Sequence, residues 1–193
     1  MARLIYIPVL HGSAEMGSAA EGYKAAFIAR FGEEKWRARR LQMDAIWRRI
    51  EASIARLGLE AEKMKLYQDS LPICGREEAL VGELAAKGSR NHQLLLRLVR
   101  GGASLVGTES AALLNEEYRL MGSRDSKAAS ALLERRDRFI AERIAATLGE
   151  EEVGLLFIGA LHRVARFLPA RIEVEYLQLP ERAEDERREG NGE

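Results

Sequence analysis

At 193 residues, with 47% hydrophobic and 31% charged side chains, the chain has the length of one domain and enough apolar residues for a sizeable core. Thirty Lys and Arg balance thirty Asp and Glu, so there is no global basic field, and nucleic acid and anionic lipid are both excluded as expected partners. Cys74 stands alone, which excludes an internal disulfide framework and points to a reducing, cytoplasmic setting, and the apolar run 4–10 is too short to cross a bilayer and lacks the marks of a signal peptide.

The run 4–10 reads as a first buried strand, in which Pro8 is tolerated only near an end or at a sheet edge. It leads into His11, and Glu15 follows four positions later in a loop of small residues. Helical backbone there puts the two groups on one face, and extended backbone parts them. Tyr23, Phe27, Ile28 and Phe31 have helical spacing over 18–31, with Gly32 as the stop. A longer helix begins near Glu33. Its apolar positions Trp36, Met43, Ile46, Trp47, Ile50, Ile54 and Leu57 recur at three, four and seven residues. Arg37, Arg39, Arg40, Arg48 and Arg49 lie mostly off that stripe, interleaved with Glu33, Glu34, Asp44 and Glu51 as a solvated face. The helix carries more apolar surface than one domain face needs, so Trp36 and Trp47 are expected to pack against another helix in a homodimer.

Residues 63–67 alternate as a second strand that delivers Asp69 ahead of the Leu71-Pro72 break. Two short helices, 77–87 and 91–100, are split by Gly88-Ser89, and His92 in the first turn of the second reads as a surface residue outside any site. A short strand at 103–106 precedes Thr108 or Ser110 as the cap of a helix carrying Leu113, Leu114 and Tyr118, with Glu109 in or beside its first turn. After Gly122-Ser123 comes an amphipathic helix, 125–148, whose stripe through Ala129, Leu133, Ile140, Ile144 and Thr147 also contains Arg136, with Arg143 seven residues on. An unpaired buried guanidinium is prohibitively costly, so Arg136 either snorkels to the rim or meets an anion. The run 153–158 has the apolar, β-branched and aromatic character of a central parallel strand closed by Gly159, and His162 lies just past its end. Residues 171–177 alternate as a final edge strand, and from Pro180 onward the chain has almost no apolar residue and is expected to be disordered.

This order predicts a single α/β domain over 1–179, with a largely parallel sheet of four to five strands covered by helices, and a tail at 180–193. In open α/β sheets ligands bind outside the carboxyl ends of the strands, and four strands here deliver a metal-compatible or acid/base group to that edge: His11 with Glu15, Asp69, Glu109 and His162. Two imidazoles with one or two carboxylates suit a divalent transition metal such as Mn, Co or Zn. His11, His162 and Glu15 or Glu109 are the candidate ligands, with Asp69 a further candidate for the acidic partner. Such a metal lowers the pKa of bound water and polarises a carbonyl, while Arg136 or Arg143 holds an anionic or oxyanionic group.

Three readings stay open at this point. The leading one is a metal-dependent hydrolase acting on an amide or ester in a small-molecule or peptide substrate, with Glu15, Glu109 and Arg136 in catalytic roles. The second is a non-catalytic domain that binds a small anionic ligand in the same crevice on Arg136, His162 and backbone N–H groups. The third is metal-free hydrolysis in which His11 or His162 is the general base, oriented by Glu15 or Glu109.

Gly159-Ala-Leu-His162 is a G-x-x-H sequence after an apolar strand, and the helix before it carries Glu134-Arg-Arg136-Asp137-Arg-Phe-Ile140-Ala141. That order resembles the TraB/PrgY/Tiki family, within the wider group that includes erythromycin esterases and ChaN-like proteins. The resemblance implies metal-dependent hydrolysis, with His11 and His162 as the two motif histidines, Glu15 or Glu109 as the acidic partner and Arg136 as the helical arginine. It covers the two ends and the Arg136 helix, and the first motif here, Pro8-Val-Leu-His11, lacks its glycine.

Overall fold

The structure, a computed structural model, describes residues 1–9, 19–120 and 125–180. Five strands form one sheet in the order β3-β2-β4-β1-β5, with every neighbouring pair parallel: β1 (Ala2–Val9), β2 (Met64–Gln68), β3 (Ser104–Val106), β4 (Val153–Gly159) and β5 (Ile172–Tyr176). Among the described residues six α-helices connect them: α1 (Ala19–Phe31) and α2 (Glu33–Arg56) after β1, α3 (Glu77–Ala86) and α4 (Arg90–Arg100) after β2, and α5 (Ala111–Leu120) and α6 (Ser126–Thr147) after β3. The expected α/β architecture with a C-terminal edge strand is thus the observed one, and the sheet is parallel throughout. Among the described residues no helix is long and apolar enough to cross a membrane. His11 and Glu15, the expected break at Gly122-Ser123 and the residues beyond Pro180 lie outside the described residues.

Side-chain alternation along the strands divides the core in two. Ile5, Ile7, Leu66, Leu155 and Phe157 point to one face, where Trp47, Ile50 and Ile54 of α2 and Leu94 and Leu95 of α4 cover them. Leu4, Tyr6, Tyr67, Leu156 and Ile158 point to the other, under Ile140, Ala141 and Ile144 of α6. Gly154 permits this second layer: a Cβ there would lie 2.6 Å from Leu4 Cδ1 and 3.1 Å from Tyr67 Cε2. Pro8 is accommodated because β5 pairs with β1 only as far as Tyr6, so the missing N–H falls beyond that ladder. Trp36 and Trp47 are both buried within the chain, Trp47 in the core and Trp36 against Tyr23 and Phe27 of α1, so neither ring is left over for a partner.

The connections also fix where a site is able to form. The chain moves outward from β1 to β2 to β3, then returns to insert β4 between β2 and β1 before β5 is added on the far side. The strand order therefore reverses around β4, and the crevice beyond its carboxyl end is bordered by the ends of β1 and β2 and by the segment that follows β4.

Candidate functional site

β2 ends with Gln68 facing the α4 side of the sheet and Asp69 facing the α6 side. Gln68 donates to the Asp69 carbonyl (3.0 Å) and accepts from Asn91 Nδ2 (2.8 Å), which ties the strand end to the first turn of α4. His92 in that turn is buried, contrary to the surface position its place in the sequence suggests. The cause is local: Ser89 caps α4 by accepting from the His92 N–H and lies 2.7 Å from its Nδ1, and Asn91 draws the turn against the sheet.

After Asp69 the chain turns through Ser70, whose φ of 63° is left-handed, and runs beside the segment that follows β3. Leu71 O accepts from the N–H groups of Thr108 and Glu109, and Ile73 N–H donates to Glu109 O. Gly107 makes this close approach feasible, because a Cβ there would stand 2.9 Å from Pro72 O and Ile73 Cα. Thr108, one of the two residues expected as a helix cap, instead donates its hydroxyl to the Gln68 carbonyl, and α5 begins directly after the other, Ser110. Glu109 is thereby driven inward, with its side chain fully buried.

α6 meets these groups with two adjacent polar residues on its buried face, Arg136 and Asp137. Arg136 donates through Nε to Glu109 Oε2 (3.2 Å) and through Nη2 to Glu109 Oε1 (2.5 Å) and Asp69 Oδ1 (3.0 Å), while Nη1 reaches Glu117 of α5. The anion this arginine required is supplied by the chain itself. Burial opposes its charge, but the hydrogen bonds to Glu109 and the charges of Glu109, Asp69 and Glu117 outweigh burial and hold the guanidinium protonated. For Glu109 burial is the largest influence and raises the carboxyl above its usual range, with the Arg136 hydrogen bonds and charge pulling the other way.

Asp137 serves the other half of the cluster. Its Oδ1 lies 2.5 Å from His162 Nδ1 and its Oδ2 accepts from Arg163 N–H (2.7 Å). The imidazole is carried past β4 on a turn closed by His162 N–H to Gly159 O, and its Nε2 faces Asp69 Oδ2 at 3.5 Å. That same Oδ2 accepts from Gly159 N–H (3.1 Å), so Asp69 bridges the ends of β2 and β4. Burial tends to lower the His162 pKa, but the Asp137 hydrogen bond and the charges of Asp69 and Asp137 overcome it, and the net shift is upward. Of the three buried carboxylates here, Arg136 meets Asp69 and Glu109, while Asp137 is paired with His162.

Several expectations are redistributed by this geometry. Glu109 and His162 do belong to one cluster, with Asp69 between them. Glu109, expected as a catalytic acid or metal ligand, has both oxygens engaged by Arg136. Arg136, expected to hold a ligand anion, spends its donors on Asp69, Glu109 and Glu117. Arg143 donates to the Gly107 carbonyl (3.0 Å), bracing the loop that carries Glu109. His11 and Glu15 fall outside the described residues, so their approach to His162 does too; the register Val9↔Gly159 places the ends of β1 and β4 side by side. Asp137 was missed, although the pattern Asp137, Ile140, Ala141, Ile144 sets a carboxylate on an apolar stripe at i, i+3, i+4 and i+7.

For a metal, the described residues offer two donors that face each other, His162 Nε2 and Asp69 Oδ2, with Asp137 behind the imidazole. A carboxylate on the far nitrogen of a metal-bound histidine fixes its tautomer and orientation, and an imidazole–carboxylate set suits a divalent transition metal. Among the described residues no group of three or more His, Cys, Asp or Glu side chains is arranged to hold a metal ion, so the remaining donors would have to come from elsewhere. No protein-family model, curated protein or solved structure matches the chain.

Proposed function

We propose that the protein is a metal-dependent hydrolase of an amide or ester bond in a small-molecule or peptide substrate, working at His162 on the carboxyl edge of the sheet. One observation carries this reading: His162 is held through Nδ1 by Asp137 while Nε2 faces Asp69 Oδ2, beyond the strand around which the topology reverses. His162 Nε2 and Asp69 Oδ2 would hold a divalent Mn, Co or Zn ion, with His11 and Glu15, which follow β1 in the sequence, as the further candidate donors. When bound, such an ion lowers the pKa of a water and polarises the scissile carbonyl. Asp137 fixes the imidazole tautomer, and Arg136, locked between Glu109 and Asp69, keeps the Asp69 carboxylate aimed at that nitrogen. The reading agrees with what the resemblance to the TraB/PrgY/Tiki family implies.

A second reading rests on the same Asp137–His162 bond. An imidazole so oriented serves as a general base toward water without any metal, with Asp137 in the orienting role that Glu15 or Glu109 was expected to fill. Binding of a small anion by Arg136 is less well supported, since its donors are already taken up by carboxylates. A homodimer would need a surface other than Trp36 and Trp47.

Elemental analysis, titration of Mn, Co and Zn into wild type and His162→Ala, and assays on 4-nitrophenyl acetate and an unstructured peptide test these readings together. Metal binding and hydrolysis that are both lost in His162→Ala support the metal-dependent enzyme. Hydrolysis that survives a chelator but not His162→Ala selects the metal-free base. Turnover unchanged in His162→Ala overturns both.

A further inference from the structure

A groove of about 350 Å³ lies on the α2 face of the sheet at its β5 edge, on the opposite face from the Arg136 and His162 cluster. Ile5 of β1 lies at its base, the last two turns of α2 form one wall, and the chain after β5, from Leu177 to Pro180, forms the other. The second wall is anchored: Leu177 N–H donates to Tyr6 O (2.9 Å), and Leu177 and Leu179 pack on the core that contains Ile5. These side chains and Leu57, which is 37% exposed, give the groove an apolar lining that solvent still reaches.

The α2 wall adds donors that the chain does not use up. Arg49, Ser53 and Arg56 recur at i, i+4 and i+7 and so share one helix face. Arg49 donates through Nη2 to the carbonyl of Pro180, which lines the groove, while its Nε is buried without an acceptor. Ser53 is buried; its hydroxyl accepts from Arg56 Nη2 (3.4 Å) and has no acceptor for its own proton among the described residues. Neither arginine has a carboxylate partner among the described residues. Glu175 also lines the groove, but Arg3 engages it bidentately (2.9 and 3.0 Å), and that hydrogen bonding holds its carboxyl below the usual range.

A buried donor without an acceptor carries the full cost of its desolvation and calls for a partner. The occupant must bring acceptor oxygens and negative charge to the arginine face and an apolar body to Ile5, Leu177 and Leu179. Arg56 is the last residue of α2, where the helix dipole is negative, so a singly charged carboxylate is favoured over a doubly charged phosphate. The volume falls at the small end of the range of about 300–1,000 Å³ typical of small-molecule sites, which suits a short chain.

We infer that this groove binds a small amphiphilic carboxylate of the medium-chain fatty-acid type. Its head lies on Ser53 and Arg56, with Arg49 as the further cation, and its apolar body runs along Leu177 and Leu179. Such binding is independent of the chemistry at His162.

The test is isothermal titration calorimetry of the full chain with octanoate, set against acetate, 1-octanol and octyl phosphate. Octanoate is expected to bind at one site per chain. Acetate lacks the apolar body and 1-octanol the charge, so each should bind at least about tenfold more weakly. Arg56→Gln, at an exposed position, should weaken octanoate about tenfold, and Arg56→Lys should recover part of that loss through charge alone. Ser53→Ala should weaken it about threefold, with circular dichroism unchanged. If Ser53→Ala folds poorly, Leu57→Ser reads the apolar side of the groove instead and should also weaken octanoate. No saturable octanoate binding at millimolar concentration overturns the inference. So does octanoate binding that the Arg56 and Ser53 variants leave intact, or 1-octanol or octyl phosphate binding as tightly as octanoate. A dimer in light scattering that Arg56→Gln dissociates, or octanoate binding that appears only after truncation beyond Pro180, would assign the groove to a second copy or to the chain's own C-terminal residues and overturn it as well.

Discussion

The two faces of the sheet solve the same covering problem with opposite chemistry. Under α2 and α4 the layer is apolar over most of its extent, with Trp47, Ile50, Ile54, Leu94 and Leu95 on the strands, a neutral amide pair Gln68–Asn91 at the end of β2, and the arginines of α2 turned mostly to solvent. Under α6 the apolar layer of Ile140, Ala141 and Ile144 gives way, one turn nearer the helix N-terminus, to Arg136 and Asp137. That is the end of α6 that reaches the carboxyl edge of the sheet. An arginine off the stripe costs nothing to solvate, whereas one on the stripe commits the neighbouring loops to supplying carboxylates. The α6 side therefore joins the ends of β2, β3 and β4 through charged groups, where the α4 side holds the end of β2 through the neutral Gln68–Asn91 pair.

The sharpest way to break the comparison is to remove one large side chain from each face. Arg136→Ala should destabilise the fold by about 3–5 kcal/mol, because Glu109 and Asp69 are left buried without their counter-ion. Trp47→Ala should cost a similar amount, about 3–5 kcal/mol, through lost contact and a cavity. Urea unfolding of the two single variants and of Arg136→Met/Glu109→Leu separates the causes. The double variant should recover much of the Arg136→Ala loss, since an apolar pair of similar volume often matches a buried ion pair.

The next largest effect is expected in the backbone that carries Glu109. Gly107→Ala places a Cβ against Pro72 O and Ile73 Cα and should cost about 1–3 kcal/mol by overpacking, measurable as a lower urea midpoint. Asp137→Asn should lower the His162 pKa in metal-free protein, read by NMR of the imidazole. A histidine whose folded pKa lies above its ordinary value of about 6.5 contributes stability that is complete below that value and fades as pH rises through the folded pKa. The stability difference between wild type and Asp137→Asn should therefore shrink on going from mildly acidic to alkaline pH, by about 1.4 kcal/mol for each pKa unit removed. An unchanged difference across that range would show that Asp137 acts on His162 through packing alone. Smallest of all, Ser70→Gly should leave stability unchanged or raise it by up to about 1 kcal/mol, as the left-handed φ is relieved and two weak hydroxyl contacts are lost.

Local pattern was sufficient for the elements. Apolar runs closed by Gly159 and Gly101-Gly102, the stop at Gly32, and the three-and-four spacing of α2 and α6 each act within a few residues, so strand and helix positions could be read from the chain alone. The same reading placed His11 with Glu15, Asp69, Glu109 and His162 at one edge, because a parallel sheet collects its post-strand loops there, and of these Asp69, Glu109 and His162 lie in one cluster among the described residues. What each of them touches was decided only by tertiary structure. Arg136 has donors enough for several anions, and whether these are ligand or chain depends on how far Glu109 is drawn in by the Leu71 and Gln68 carbonyls, a contact between segments some forty residues apart that no periodicity encodes. His92 became a core residue, and Trp36 and Trp47 were spent inside the chain, for the same reason: the burial of a helix face is set by what packs against it, and propensity and spacing describe only the helix itself.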